Sequence, residues 1–177
     1  MISEQELLTQ AGQLNSRALA EIYDLYSPRL YRYSMRLLGD DCAAEDCVSE
    51  SFSRFLKALQ TGKGPRDYLQ AYLFRTAHNL IVDHYRRHAE HPTEELDEDL
   101  PQAENAEDTA DQNLRQNRVR AALHQLTEDQ QQVVALKFLE GLENEEIARV
   151  LHKPVGAVKS LQHRALAQLQ KILLDEV

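Results

Sequence analysis

The stretch from Leu126 to Leu174 leaves the fewest options, because three helical periodicities follow one another there with only tight turns between them. Thr127 and Gln130 have capping-box spacing, a hydroxyl for an orphan backbone amide and an amide side chain reaching back. They open a helix with Val133, Val134 and Phe138 on its inner side, and Gly141 ends it. A second helix, from about Asn144 to Leu151, buries Ile147, Val150 and Leu151 at i, i+3 and i+4, and the turn from His152 to Gly156 redirects the chain. The third helix has Val158, Ala165, Leu169 and Ile172 as its inner stripe and turns Lys159, Ser160, His163 and Arg164 the other way.

From Ile147 to Leu174 the charged residues are all cationic: Arg149, Lys153, Lys159, Arg164 and Lys171. A short helix, a turn and a longer helix with basic and small polar groups at its start is helix-turn-helix geometry, whose second helix enters the DNA major groove. The cations would hold phosphates and the first turns would meet base edges. The plainer alternative is a three-helix packing unit with a solvated basic face.

A net charge of -9 sits badly with DNA binding until it is divided along the chain. Residues 89–112 hold ten of the 29 acidic residues and none of the 20 basic ones, so the remainder is close to neutral. That segment has two prolines and no aromatic residue, which predicts a flexible acidic linker between two small folded parts. With 42% hydrophobic residues and six glycines, both parts read as helical and globular. No apolar run is long enough to span a bilayer, and the start, Met1 to Glu6, lacks the basic and apolar regions of a secretory signal, so a cytoplasmic protein with reduced thiols is expected. Cys42 and Cys47 favour neither a disulfide nor, by themselves, a metal site.

Taken in order, Ser3 and Glu6 cap a short helix that stops near Gly12, and Asn15 or Ser16 caps a second one burying Leu19, Ile22, Tyr23, Tyr26 and Leu30. Pro28 either kinks this helix or starts a new one. A helix from about Cys42 to Leu59 turns Cys47 or Val48, Phe52, Phe55, Leu56 and Leu59 inwards, leaving Glu45, Asp46, Ser49, Glu50 and Ser53 as an acidic, polar outer face. After the loop Gln60–Arg66, a helix from Asp67 to about His88 has Leu69, Tyr72, Leu73, Thr76, Leu80 and His84 as a core stripe. Arg75, Asn79, Asp83 and Arg86 lie elsewhere on its surface, with Phe74, His78 and Tyr85 nearby. Rings, an amide and cations together suit unpaired bases, which stack on aromatics while cations hold the phosphates; the plainer alternative is that the rings are core and Arg86–Arg87 compensates the helix dipole.

The motifs also resemble a family. Leu126-Thr-Glu-Asp-Gln-Gln-Gln-Val-Val, Leu139-Glu-Gly-Leu, Glu145-Glu-Ile-Ala, Pro154-Val-Gly-Ala-Val-Lys-Ser and His163-Arg-Ala resemble region 4 of bacterial extracytoplasmic-function (ECF) sigma factors. Ala20 to Tyr33 resembles sigma region 2.1, Ala44 to Phe52 region 2.2, and Tyr72 to Leu80 with Asp83 and Arg86–Arg87 regions 2.3 and 2.4. The resemblance implies an all-α chain of two small helical domains: region 2 over 1–88, the acidic linker over 89–112, and region 4 over 113–177. It implies a dissociable specificity subunit, monomeric when free and performing no chemistry itself, whose partners are core RNA polymerase, promoter DNA and an anti-sigma factor, with neither cofactor, metal nor membrane insertion.

Carried over residue by residue, the minus-35 element would meet Lys153, Gly156, Lys159, Ser160, His163 and Arg164. The melted minus-10 element would meet Lys63, Arg66, Tyr72, Arg75, His78, Asn79, Arg86 and Arg87, the loop and Asn79 forming a pocket for a flipped base. Core polymerase would dock on Asp46, Ser49, Glu50 and Ser53. The chain departs from the family at Tyr72, usually Trp, at Ser49, usually Gln, and at His152, usually Gly, although His tolerates a left-handed turn. At Leu161–Gln162 the family's Arg-Leu order looks exchanged, which buries Leu161 and leaves Gln162 facing DNA.

Two other classes compete. LuxR-type regulators carry a similar DNA-binding domain, but they need a receiver or sensor domain with strands and glycine-rich turns that this chain does not supply. His84, His88 and His91, with Asp83 adjacent, have helical spacing that could hold a metal for a helical hydrolase, but Pro92 interrupts the continuity. Gly62-Lys-Gly-Pro is too short for a phosphate-binding P-loop.

Overall fold

The computed structural model describes residues 2–90 and 108–175, and all of its regular structure is helical. Four helices, α1 (Glu4–Gly12), α2 (Ser16–Leu38), α3 (Asp41–Gln60) and α4 (Leu69–Glu90), form the first bundle. The second has α5 (Asp108–His124), α6 (Glu128–Val134), which continues into a π-helical turn over Ala135–Leu139, then α7 (Asn144–Leu151) and α8 (Val155–Asp175). The expected acidic linker overlaps helices at both ends, residues 89–90 in α4 and 108–112 in α5; its flexibility falls on 91–107, outside the described residues. The helix α5 had no clear sequence signature.

Caps define most starts. Ser3 with Glu6 and Thr127 with Gln130 form the two expected capping boxes, Asn15 rather than Ser16 caps α2, and Asp40 accepts from the Ala43 amide at the start of α3. Pro28 does not restart the chain: α2 runs on through it. Its buried residues Ile22, Tyr26, Leu30, Tyr33 and Leu37 keep helical phase across the proline, so burial on both sides outweighs one missing backbone bond.

Some expected core positions lie outside it. Tyr23 is 48% exposed, its ring tilted against Phe52 at 4.8 Å, and Leu56 is also exposed. Phe138 is 53% exposed although Val133 and Val134 are buried. The π turn is the reason: Glu140 N–H donates to Ala135 O at 3.1 Å, an i to i+5 bond, and the wider turn shifts every later side chain out of helical phase.

The largest departure is on α4. Phe74 and His78, expected near an outward face, are buried together with Leu69, Leu73, Ala77 and Ile81, whereas Tyr72, Thr76, Leu80 and His84 are only partly buried. One face of α4 packs on α2 and α3, and α7 packs against it from the second bundle. A continuous hydrophobic core consequently runs from Leu7 to Leu161 through both bundles. Phe74 meets Tyr33 edge-on at 5.4 Å, and the Tyr33 hydroxyl lies 3.0 Å from His78 Nδ1.

Burial pushes the His78 imidazole down to about 4 from its ordinary 6.5, with Asp129 of α6 opposing. His84 and His124 shift the same way, chiefly through burial. Below pH 6.5 the unfolded chain therefore takes up protons first, so the stability from neutral His78 is complete above that pH and lost as pH falls towards 4. The melting temperature of the full chain is expected to fall from pH 6.5 to pH 4.5, and to fall less steeply in His78→Phe. Parallel curves for the two proteins would assign the loss to other groups.

Candidate nucleic-acid interface

The turn before α8 depends on one backbone conformation. His152 caps α7 with φ 52° and ψ 44°, the left-handed geometry usually given to glycine, and its N–H closes onto Arg149 O at 3.4 Å. The chain thereby reverses within a few residues and starts α8 with Gly156 exposed. Val158, Leu161, Ala165 and Ile172 hold the inner side of α8, and Lys159, Ser160, His163 and Arg164 line an open concavity of about 560 Å³ on the outer side. The Arg164 side chain lies back along its own helix, Nε donating to Ser160 O at 3.4 Å.

Not every residue of the cationic patch is on that face. Lys153 Nζ pairs with Asp129 at 3.2 Å and is partly buried. The Arg149 guanidinium lies 3.6 Å from the centre of the Tyr68 ring, and Tyr68 belongs to the loop before α4 in the first bundle. Leu161 is buried as its spacing implied. Gln162, expected to face DNA, is half-buried and donates through Nε2 to Asn144 of α7 at 2.7 Å, which ties it to the helix-turn-helix itself.

On the first bundle Arg75 and Asn79 are exposed one turn apart on α4, and Arg86 is exposed further along. Lys63 and Arg66 are exposed in the preceding loop, where the Arg66 carbonyl accepts from Gln5 Nε2 at 2.6 Å. Tyr72 is half-buried against Phe55. His78 is buried, and its Nε2 has no hydrogen-bond partner. Arg87 is not with Arg75 and Asn79: it lines a cleft of about 780 Å³ between α3 and α4, with His84, His88 and Arg54.

That cleft also contains Asp46, Ser49, Glu50 and Ser53, all exposed on α3. Helical spacing brings these four together as expected. Glu50 is partly neutralised by Arg54 one turn on, at 2.9 Å. The His84 and His88 rings lie 4.2 Å apart, and His91 is outside the described residues. Among the described residues no three His, Cys, Asp or Glu are grouped to hold a metal, and no helix is long and apolar enough to cross a membrane.

The contacts between the bundles carried no periodic signal in the sequence. Arg29 of α2 lies 3.8 Å from Glu140, whose side chain is only 3% exposed. Burial pushes the Glu140 carboxyl up, and Arg29, Arg32 and Arg36 pull against this. Tyr85 of α4 donates to Leu37 O and sets its ring edge-on to His124 of α5 at 5.4 Å. Gly39, at φ 68°, ends α2 where any Cβ would come within 2.5 Å of the Arg120 guanidinium. Here the left-handed backbone favours glycine, and the tip of the flexible Arg120 side chain occupies the space a Cβ would take.

Comparison with known proteins agrees with this geometry. Residues 22–91 match the family model for Sigma-70 region 2, and residues 116–169 that for Sigma-70, region 4. The ECF RNA polymerase sigma factor BldN of Streptomyces coelicolor is 34% identical over 97% of this chain, which spans 66% of BldN's length. SigW of Bacillus subtilis, also an ECF sigma factor, is 29% identical with 95% of each chain covered. The structure of CnrH in complex with the cytosolic domain of CnrY shares the fold at a TM-score of 0.78 and 24% identity, over 98% of this chain and 99% of that one. The sigma factor RpoE of Bartonella quintana, solved with the anti-sigma factor NepR, shares it at a TM-score of 0.64 and 24% identity, over 87% and 95%. A match to region 2 ahead of region 4 is what a LuxR-type regulator lacks, and together the two matches take up most of the chain: it belongs to the sigma-70 family, as a sigma factor of the ECF group.

Proposed function

We propose that the chain directs core RNA polymerase to a two-part promoter, reading the minus-35 element as duplex and holding the minus-10 element once it is melted. The observation that carries this reading is the exposed face of α8, where Lys159, Ser160, His163 and Arg164 stand clear behind a tight left-handed turn. Cations there displace counterions from phosphates, and the first turns of α8 meet base edges in the major groove. Gly156 lets the helix start approach the backbone closely, and Lys153, paired with Asp129, takes a phosphate on exchanging that partner.

On the first bundle Arg75 and Asn79 receive the unpaired strand with Tyr72, the loop carrying Lys63 and Arg66 closes the pocket for a flipped base, and Arg86 holds phosphate. His78 joins them when the bundles separate; its buried, unpartnered Nε2 supports this, since such an atom gains a hydrogen bond on opening. Arg87, turned into the α3–α4 cleft, serves the polymerase side. Core polymerase docks on Asp46, Ser49, Glu50 and Ser53, an open polar surface whose one ion-pair partner among the described residues is Arg54. Promoter opening by binding energy needs no cofactor and makes no covalent bond.

The domains are residues 1–88 and 113–177, with 89–112 as an acidic tether. Free protein is a cytoplasmic monomer, and an anti-sigma factor holds it inactive, as the complexes of CnrH with CnrY and of RpoE with NepR suggest for the shared fold. Such a partner would act on the seam between α4 and α7.

Lys159→Ala and Arg164→Ala are expected to weaken promoter binding, each lowering the salt-dependence slope by about 1, in DNA titrations at several salt concentrations. Unchanged affinity and slope in both would leave α8 with a merely solvated face. Asp46→Lys with Glu50→Lys should cut binding to core polymerase in a pull-down while leaving the circular-dichroism melt of the free chain intact. Full retention of core polymerase would remove α3 from the docking surface.

A further inference from the structure

A second cationic site lies away from both DNA-reading faces. Arg32 and Arg36, one turn apart on α2, face Arg115 and Arg120 of α5 across a cavity of about 380 Å³, completed by Tyr31, Met35, Gln116 and Val119. Among the described residues no Asp or Glu lines it, and no carboxylate forms an ion pair with any of the four guanidinium groups. Of the acids nearby, Asp41 accepts the Tyr31 hydroxyl, and Glu140, buried against Arg29, also feels Arg32 and Arg36 without forming an ion pair with either. Arg120 is the most fixed of the four, its Nη2 donating to Asn117 Oδ1 at 2.6 Å and its guanidinium lying against Gly39.

Four cations around one cavity repel one another, and water, the Glu140 carboxylate beside Arg32 and Arg36, or a bound anion must offset that repulsion. Arginine forks match phosphate oxygens two at a time. A simple anion would use the cations alone, yet one wall carries Met35, Val119 and the Tyr31 ring, and Val119 is 52% exposed. The volume is within the range of small-molecule pockets. We propose that this cavity binds a nucleoside polyphosphate, its phosphates held by Arg32, Arg36, Arg115 and Arg120 and its base laid on Tyr31, Met35 and Val119.

The cavity has a wall from each bundle, so its ligand has a stake in how they sit. A nucleotide spanning α2 and α5 binds the packed arrangement better than the separated one and shifts the population towards it. It therefore opposes the separation that uncovers His78, making the site an inhibitory input independent of promoter contact.

The test is calorimetric titration of the full chain with ATP, GTP, tripolyphosphate and adenosine, on wild type and on Arg32→Gln, Arg115→Gln and Arg118→Gln. Arg32 and Arg115 are exposed, so folding tolerates their loss, and Arg118 is on α5 but outside the cavity. Saturable binding of a nucleoside triphosphate is expected, weakened roughly tenfold by either cavity substitution and unaltered by Arg118→Gln. Tripolyphosphate should bind more weakly than the nucleotide, and adenosine more weakly still. The proposal is overturned by absent binding, by equal affinity for tripolyphosphate, or by equal sensitivity to Arg118→Gln.

Discussion

The burial of α4 on two sides governs the arrangement of everything else. Leu69, Leu73, Ala77 and Ile81 seat the helix within a core that also contains Ile147, Val150 and Val158 from the second bundle. Domains joined by a linker move relative to each other by default unless their contact is large and apolar. Here the contact is part of the main core, and its polar fastenings are placed around it: Arg29 with Glu140, Arg149 on Tyr68, and Tyr85 beside His124. The apolar part favours closure without direction, and these polar pairs set how far each bundle is rotated about the seam.

What the sequence made legible was mostly local. Capping boxes at Ser3 and Thr127, the left-handed turn at His152 and the outward display of Lys159, Ser160, His163 and Arg164 all follow from spacing within a few residues. The same is true of the acidic face of α3. Phe74 and His78 were misplaced because periodicity reports that a helix has more than one apolar face but not whether a distant segment covers the second. Phe138 was misplaced because a π turn leaves no signature in apolar spacing. Gln162 was expected outward by elimination, and only tertiary packing revealed Asn144 within reach. The helix α5 escaped notice since nearly all of its face is polar, with Ala122 and Leu123 the only buried side chains described in it.

Charge is divided to match. The acidic excess sits between residues 89 and 112, while among the described residues no acid lines the concavity on α8 or the α2–α5 cavity. A chain with an overall charge of -9 can thus attract anions at several separate places, because screening confines each field to about 10 Å at ordinary ionic strength.

The continuous core through both bundles also limits how such chains can diversify. Bundles separated by clean linkers can be exchanged between relatives as independent cassettes. In this chain the faces of α4 and α7 are two halves of one packing solution, and a chimera taking each half from a different relative would join surfaces never fitted to one another. The two bundles are therefore inherited together, with the packed faces of α4 and α7 as the bond between them.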